Sequence, residues 1–150
     1  IDATPEIFVT ALHDRHPLTT WVDRRIAVMG DAAHAMLPYH AQGAVQSLED
    51  AWVLARTLEQ MLNQPAEALK RFESLRFERA NLLVQQSRNA EAWYHVDSVE
   101  AINERNQRFR RTNERLAGDF SSQQHWLYSY DADKAALGSD EVWRSLPKWS

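Results

Sequence analysis

Gly30-Asp31-Ala32-Ala33-His34-Ala35-Met36-Leu37-Pro38-Tyr39-His40-Ala41-Gln42-Gly43-Ala44-Val45-Gln46-Ser47-Leu48-Glu49-Asp50 is the stretch on which the reading of this chain turns. The apolar run Ile26-Ala27-Val28-Met29 precedes it, and such a run suits a strand buried on both faces of a parallel sheet. Ligands of such sheets bind beyond the carboxyl ends of the strands, which puts Asp31 where an acceptor for a ligand hydroxyl is expected. Gln42-Gly43-Ala44-Val45 then opens a helix whose first N–H groups lack intrahelical partners and whose dipole favours negative charge. Gly43 has no Cβ and lets a flat ligand approach the backbone. A polyhydroxylated ligand carrying a ring that can become anionic suits both ends of the segment.

The pattern Gly-Asp-Ala-Ala-His at 30–34, Pro38 after it, Gln42-Gly43 and Asp50 resembles the C-terminal part of the salicylate-hydroxylase-like flavoprotein monooxygenases. So many fixed positions in one segment are a far more specific signal than an isolated glycine motif. Weaker likeness extends upstream through Leu12-His13-Asp14-Arg15-His16-Pro17-Leu18 and Trp21, and returns at Trp126-Leu127-Tyr128-Ser129-Tyr130-Asp131. Members of this family open with a Gly-x-Gly-x-x-Gly turn for the FAD pyrophosphate. The glycines of this chain are Gly30, Gly43, Gly118 and Gly138, from which no such turn can be written. With Ile1 as its first residue, the chain reads as the C-terminal portion of a longer enzyme whose N-terminal FAD-binding part is absent.

The resemblance implies a chain that is mainly α with a short β region, the C-terminal part of an FAD/NAD(P)-binding α/β flavoprotein monooxygenase fold. Residues 1–42 then form the end of the substrate and FAD sheet region with the flavin-contacting loop, and 43–150 a C-terminal helical region, together one structural unit. It also implies a role for each residue of the motif. Gly30 belongs to the cofactor-binding set with Asp31, whose carboxylate accepts from a ribityl hydroxyl of FAD. Pro38 lies beside the isoalloxazine, where its backbone carbonyl shapes the site of oxygen transfer. Gln42 belongs to the cofactor-binding set, and Gly43, Ala44 and Val45 bring backbone N–H groups to the pyrimidine edge of the ring, where reduced flavin is negative. Tyr39 and His40 face the substrate. The family more often has Gly where this chain has Ala41.

Read without the resemblance, the same residues have plainer roles. Asp31 is then a turn or cap residue, Pro38 a loop stiffener, and Asp50 a cap, an ion-pair partner or a packing residue. His34 and His40 lack a third ligand at metal spacing, so a packing or hydrogen-bonding role is assigned to His34 and no metal site is expected.

The remaining sequence predicts helices. Glu6 to Leu12 has β-branched and aromatic content and suits an extended segment, and a strand is expected over Arg25 to Met29. A first helix is predicted from about Gly43 to Leu62, with Ala44, Val45, Leu48, Ala51, Trp52, Ala55, Leu58, Met61 and Leu62 on one apolar face. Asn63-Gln64-Pro65 ends it and starts a second, about Ala66 to His95, with Leu69, Phe72, Leu75, Leu82 and Leu83 inward and Glu67–Arg71 as an i,i+4 pair. Asp97 and Glu100 suggest a capping box for a third helix that Gly118 ends. The arginines between 71 and 79 read as a solvated or interdomain face. The six Trp read as core or subunit-contact residues.

At 150 residues and 44% hydrophobic composition the chain can form one domain with a core. A net charge of −4 argues against a general nucleic-acid surface. No stretch approaches the roughly 18 apolar residues of a membrane span, and no signal peptide is visible. The absence of Cys excludes disulfides and thiolate metal sites, and a cytoplasmic address is expected. The function implied is the hydroxylation of a small salicylate-like aromatic substrate with FAD, NAD(P)H and O2. The alternatives are a flavin monooxygenase acting on a non-aromatic substrate and a non-enzymatic helical binding or scaffold module. Without the remainder of the sheet, the isolated chain is expected to self-associate and to be inactive.

Overall fold

The computed structural model describes residues 5–115 and 122–138. Its framework is a pair of packed helices, α2 (Gly43–Gln60) and α3 (Pro65–Tyr94), joined by the short link 61–64. The link follows from its residues. Met61 closes α2 by donating its N–H to the Thr57 carbonyl at 3.2 Å, and Pro65 occupies the first turn of α3, where its missing N–H costs nothing. Before them come a hairpin of β1 (Val22–Asp23) and β2 (Ile26–Ala27) and the single-turn helix α1 (Asp31–His34). After them come α4 (Val99–Arg115), α5 (Ser122–Tyr128) and α6 (Ala132–Leu137).

The β region is smaller than the apolar run suggests. β1 and β2 pair antiparallel, Val22 opposite Ala27 and Asp23 opposite Ile26, around a tight turn in which Arg24 takes φ 54°. That reversal turns β2 back on β1, so the strand expected over 25–29 is two residues long and Ile26 is 70% exposed. Residues 5–12 form no regular element, and Ile7, Phe8, Val9 and Leu12 are exposed. The hairpin is anchored to α3 instead. Glu73 accepts from the backbone N–H of Trp21 and from the Thr20 hydroxyl, while the buried Trp21 ring meets Phe72, Phe77 and His34.

Two apolar clusters hold the helices together. Trp21, Ala33, Val53, Phe72, Ala80 and Ala136 form the larger one, flanked by Leu18, Val28, Met29 and Leu75. Leu83, Trp126 and Leu127 form the second, flanked by Met36, Leu82 and Tyr130. The α2 helix does not turn its apolar stripe to α3. Gln46, Asp50, Val53 and Thr57 are its buried residues, whereas Ala44, Val45, Leu48, Ala51, Trp52 and Ala55 are exposed. The reason lies on α3, whose buried face reads Ala68, Leu69, Phe72, Arg76, Arg79, Ala80, Leu83, Val84, Ser87 and Ala90. Two guanidiniums on that face require carboxylates and amides opposite them, and α2 supplies these from its polar side. Arg76 and Arg79 are therefore buried between helices and not on a solvated face.

Smaller departures have local causes. Glu67 pairs with Lys70 at 2.9 Å and not with Arg71, whose guanidinium donates to the Ala136 carbonyl at 3.3 Å. Ser98, one residue beyond Asp97, caps α4 by accepting the Ala101 N–H at 3.1 Å. Arg108 of α4 lies over the Trp93 ring at 4.2 Å. The predicted helix end at Gly118 lies outside the described residues. Asp131 caps α6 through the N–H groups of Asp133 and Lys134, and Arg56 of α2 holds that helix by donating to Asp133 at 2.8 Å. No helix among the described residues is long and apolar enough to cross a membrane.

Candidate functional site

The hairpin hands the chain to Gly30, where φ 57° and ψ −142° turn it into α1. Residues with a Cβ are excluded from that region of backbone space except under strain. A Cβ at Gly30 would also stand 2.9 Å from the Ser47 hydroxyl oxygen, which donates to the Gly43 carbonyl. Gly30→Ala is expected to cost about 1–3 kcal/mol of folding stability, read from urea unfolding. A variant as stable as the parent would mean that the turn relaxes freely.

The Gly30 carbonyl accepts the N–H groups of Ala33 and His34, both at 2.9 Å, which closes α1. Its N–H donates to Asp50 Oδ2 at 3.0 Å. His34 Nε2 lies 2.7 Å from the same oxygen, and because a carboxylate only accepts, Nε2 carries the proton. His34 Nδ1 is buried with no partner among the described residues. Asp31 stands between these two anchors with its side chain exposed. Among the described residues no donor meets its carboxylate.

Beneath the loop lies a buried ionic cluster. Arg76 Nε donates to Asp50 Oδ1 at 2.8 Å, its Nη1 to Glu49 at 2.6 Å and its Nη2 to the Gln46 side-chain oxygen at 2.7 Å. Arg79 grips Glu49 with two parallel bonds of 2.8 and 2.9 Å, and its Nη2 also reaches the Leu127 carbonyl at 2.9 Å. The Arg79 guanidinium lies over the rings of Tyr130 at 4.1 Å and Trp126 at 4.8 Å. Burial alone would push the Asp50 carboxyl up. The His34 hydrogen bond, the Arg76 charge and the Gly30 N–H outweigh it and hold Asp50 below the usual carboxylate range. Burial and the Arg76 charge act on the Tyr130 hydroxyl in opposite senses, and burial wins, raising it above the ordinary phenol value.

Pro38 opens a 3-10 turn over Pro38–His40, and its carbonyl accepts the Ala41 N–H at 2.9 Å. That use of one lone pair leaves the other for a ligand. Ala41 sits in the left-handed region with φ 53°, a conformation that explains why a glycine serves well at this position. Tyr39 bonds through its hydroxyl to His95 Nε2 at 2.9 Å and stacks on Tyr94, while His40 Nε2 donates to the Gln86 carbonyl at 3.2 Å. Gln42 is buried and accepts from the Gln46 amide, and α2 begins at Gly43 with no side chain capping it. A Cβ at Gly43 would meet only Met36, at 3.9 Å.

The geometry thus gathers Gly30, Asp31, Pro38, Gln42, Gly43, Ala44 and Val45 on one loop and helix start, and adds Tyr39 and His40 tied toward α3. A model of a known family, described as an FAD binding domain, matches residues 3–87. The chain belongs to the FAD-binding domain family.

Within this family, chains similar to it include a 3-amino-4-hydroxybenzoate 2-monooxygenase of Streptomyces platensis. It is 40% identical over 129 residues, covering 86% of this chain and 31% of that protein. A salicylate hydroxylase of Pseudomonas putida is 36% identical over 137 residues, 89% of this chain and 30% of that one. A solved salicylate hydroxylase substrate complex superposes with a TM-score of 0.62 at 31% identity, over 93% of this chain and 31% of the other. The chain therefore spans about a third of the length of the relatives it matches. Its own residues fit the family's cofactor. Asp31 has an exposed carboxylate with no donor among the described residues, which could accept from a hydroxyl, Gly43 leaves room beside the backbone, and the uncapped first turn of α2 has N–H groups that could meet an anionic ring edge.

The residues that sequence reasoning left aside are Gln46, Glu49, Arg76 and Arg79. A signal for the arginines was present. They continue the three-four spacing of Leu69, Phe72, Ala80 and Leu83, so they occupy slots in an otherwise apolar face.

Proposed function

We propose that the chain is the C-terminal portion of a flavoprotein monooxygenase that hydroxylates a small aromatic substrate with FAD, NAD(P)H and O2. The observation that carries the reading is the exposed Asp31 carboxylate on the Gly30 turn, which meets no donor among the described residues and lies on the same loop as the uncapped start of α2. The likeness to a 3-amino-4-hydroxybenzoate 2-monooxygenase and to a salicylate hydroxylase supports the substrate class. Bound FAD supplies the redox and oxygen-transfer chemistry. Asp31 accepts a hydrogen bond from a hydroxyl of the cofactor's ribityl chain. The N–H groups of Gly43, Ala44 and Val45 face the pyrimidine edge of its ring and stabilise negative charge there. The Pro38 carbonyl lines the reaction face. Tyr39 and His40 border the substrate on the side of α3, where their bonds to His95 and Gln86 fix their orientation.

Asp31→Ala in the full-length protein is expected to weaken FAD binding by about 1–3 kcal/mol with the fold retained. Titration of apoprotein with FAD measures it. An unchanged dissociation constant would reduce Asp31 to a helix-start residue and remove the main support for this reading.

A further inference from the structure

We infer that Asp50 is a positioning residue for the cofactor: it sets the direction of the Asp31 carboxylate by holding both ends of the turn that carries it. The inference rests on the reading that Asp31 binds FAD. One carboxylate oxygen, Asp50 Oδ2, takes the N–H of Gly30 at 3.0 Å and the Nε2–H of His34 at 2.7 Å. Gly30 is the residue before Asp31 and His34 the last residue of α1, so the loop hangs on a single atom at both of its ends. That atom is itself fixed. The other oxygen of Asp50 takes Arg76 Nε at 2.8 Å, and Arg76 is held in turn by Glu49 and Gln46. Glu49 passes the constraint to Arg79, which ends on the carbonyls of Trp126 and Leu127.

Stability alone is a poor account of such a cluster. Taking charges out of water costs several kcal/mol per ion, and packed apolar residues often replace a buried ion pair without loss. What apolar residues cannot do is present a fixed acceptor to a backbone N–H in a strained turn. The Gly30 conformation needs that acceptor, since its N–H points inward and would otherwise be buried unpaired. Moving Asp50 Oδ2 re-aims α1, and a displacement of about 1 Å is enough to misplace a ligand-binding group. Tyr130 and Trp126, stacked on Arg79, place the C-terminal segment at the far end of the same chain of contacts.

A double-mutant cycle in the full-length protein tests this, with the FAD dissociation constant and the melting temperature both read. Asp50→Asn keeps the shape of the side chain and removes its charge. It is expected to weaken FAD about tenfold in the parent and less than about twofold in the Asp31→Ala background, the non-additivity of residues acting as a unit. A support that acts on the fold alone would lower the melting temperature and multiply the dissociation constant equally in both backgrounds, and that result overturns the inference. His34→Ala and His34→Gln keep the carboxylates and guanidiniums of the cluster and decide the matter alone should Asp50→Asn not fold. His34→Ala is expected to weaken FAD about fivefold, and His34→Gln, whose amide can replace the Nε2 donor, to restore binding to within about twofold. Equal binding by parent and His34→Ala overturns the inference. If Asp31→Ala alone leaves FAD binding unchanged, the cofactor reading falls and this inference with it. If Asp31→Ala weakens FAD but the effects multiply, only the inference falls.

Discussion

Arg76→Ala is expected to lower the unfolding free energy by about 3–5 kcal/mol, the cost of breaking a buried ion pair by removing one partner. Arg76 is fully buried, and so are its partners Asp50 and Gln46. Removing the guanidinium leaves Asp50 with only the Gly30 N–H and His34, Glu49 with Arg79 and the Gln46 amide, and the Gln46 side-chain oxygen without its 2.7 Å donor. Burial disfavours the charge on Arg76, but Glu49 foremost, with Tyr130 and Asp50, holds its pKa above the ordinary arginine value. The loss is therefore that of a full charge at neutral pH. Lys70→Ala supplies the control, because its pair with Glu67 is exposed at the helix surface and such pairs contribute about 0–1 kcal/mol. Urea unfolding of both variants gives the comparison. A loss below about 1 kcal/mol for Arg76→Ala would show that the two carboxylates find relief by relaxation or protonation, against the geometry described.

Acid is expected to act on the same cluster. Asp50 is held below its usual range in the folded protein, so folding favours its ionised form. The stability this supplies is fully present above the unfolded value of about 3.9 and is lost as pH falls through the lower folded value. Stability measured from pH 7 down to 2 is expected to fall steeply below about pH 4 in the parent and less steeply in Asp50→Asn, which has no carboxyl to protonate. Parallel curves for the two proteins would assign the acid sensitivity to other carboxylates.

The sequence made the two long helices legible for reasons that the structure bears out. Asn63-Gln64-Pro65 punctuates α2 and α3 because Pro is tolerated only at a first turn, and α3 runs from Pro65 to Tyr94, close to the expected bounds. Gly43 opens α2 where expected. The β run was harder. Four apolar residues read alike whether a strand lies inside a sheet or on a hairpin arm, and the turn at Arg24-Arg25 carries none of the usual glycine or asparagine marks. The ionic cluster was hidden by a different fact. Charges at helical spacing usually face water, and the partners of Arg76 lie on another helix, at Glu49 and Asp50, a separation that no local pattern reports. For α2 the apolar stripe was visible, but which side faces α3 depends on the arginines of α3 and not on α2 itself.

Those four charged residues also act as a ruler between the helices. Glu49 and Asp50 are adjacent on α2, while Arg76 and Arg79 are one turn apart on α3, so the matched set exists at only one sliding position. A slip of one turn, about 5.4 Å, would set the guanidiniums opposite Val53 and Leu54 in one direction and Val45 and Gln46 in the other. Apolar contacts between two long helices tolerate such a shift, because leucines and alanines recur at every turn. Two buried cations do not. The cluster therefore indexes α3 against α2 as teeth index a rack, and the loop that hangs on Asp50 meets α3, through His40 and the Gln86 carbonyl, at that index.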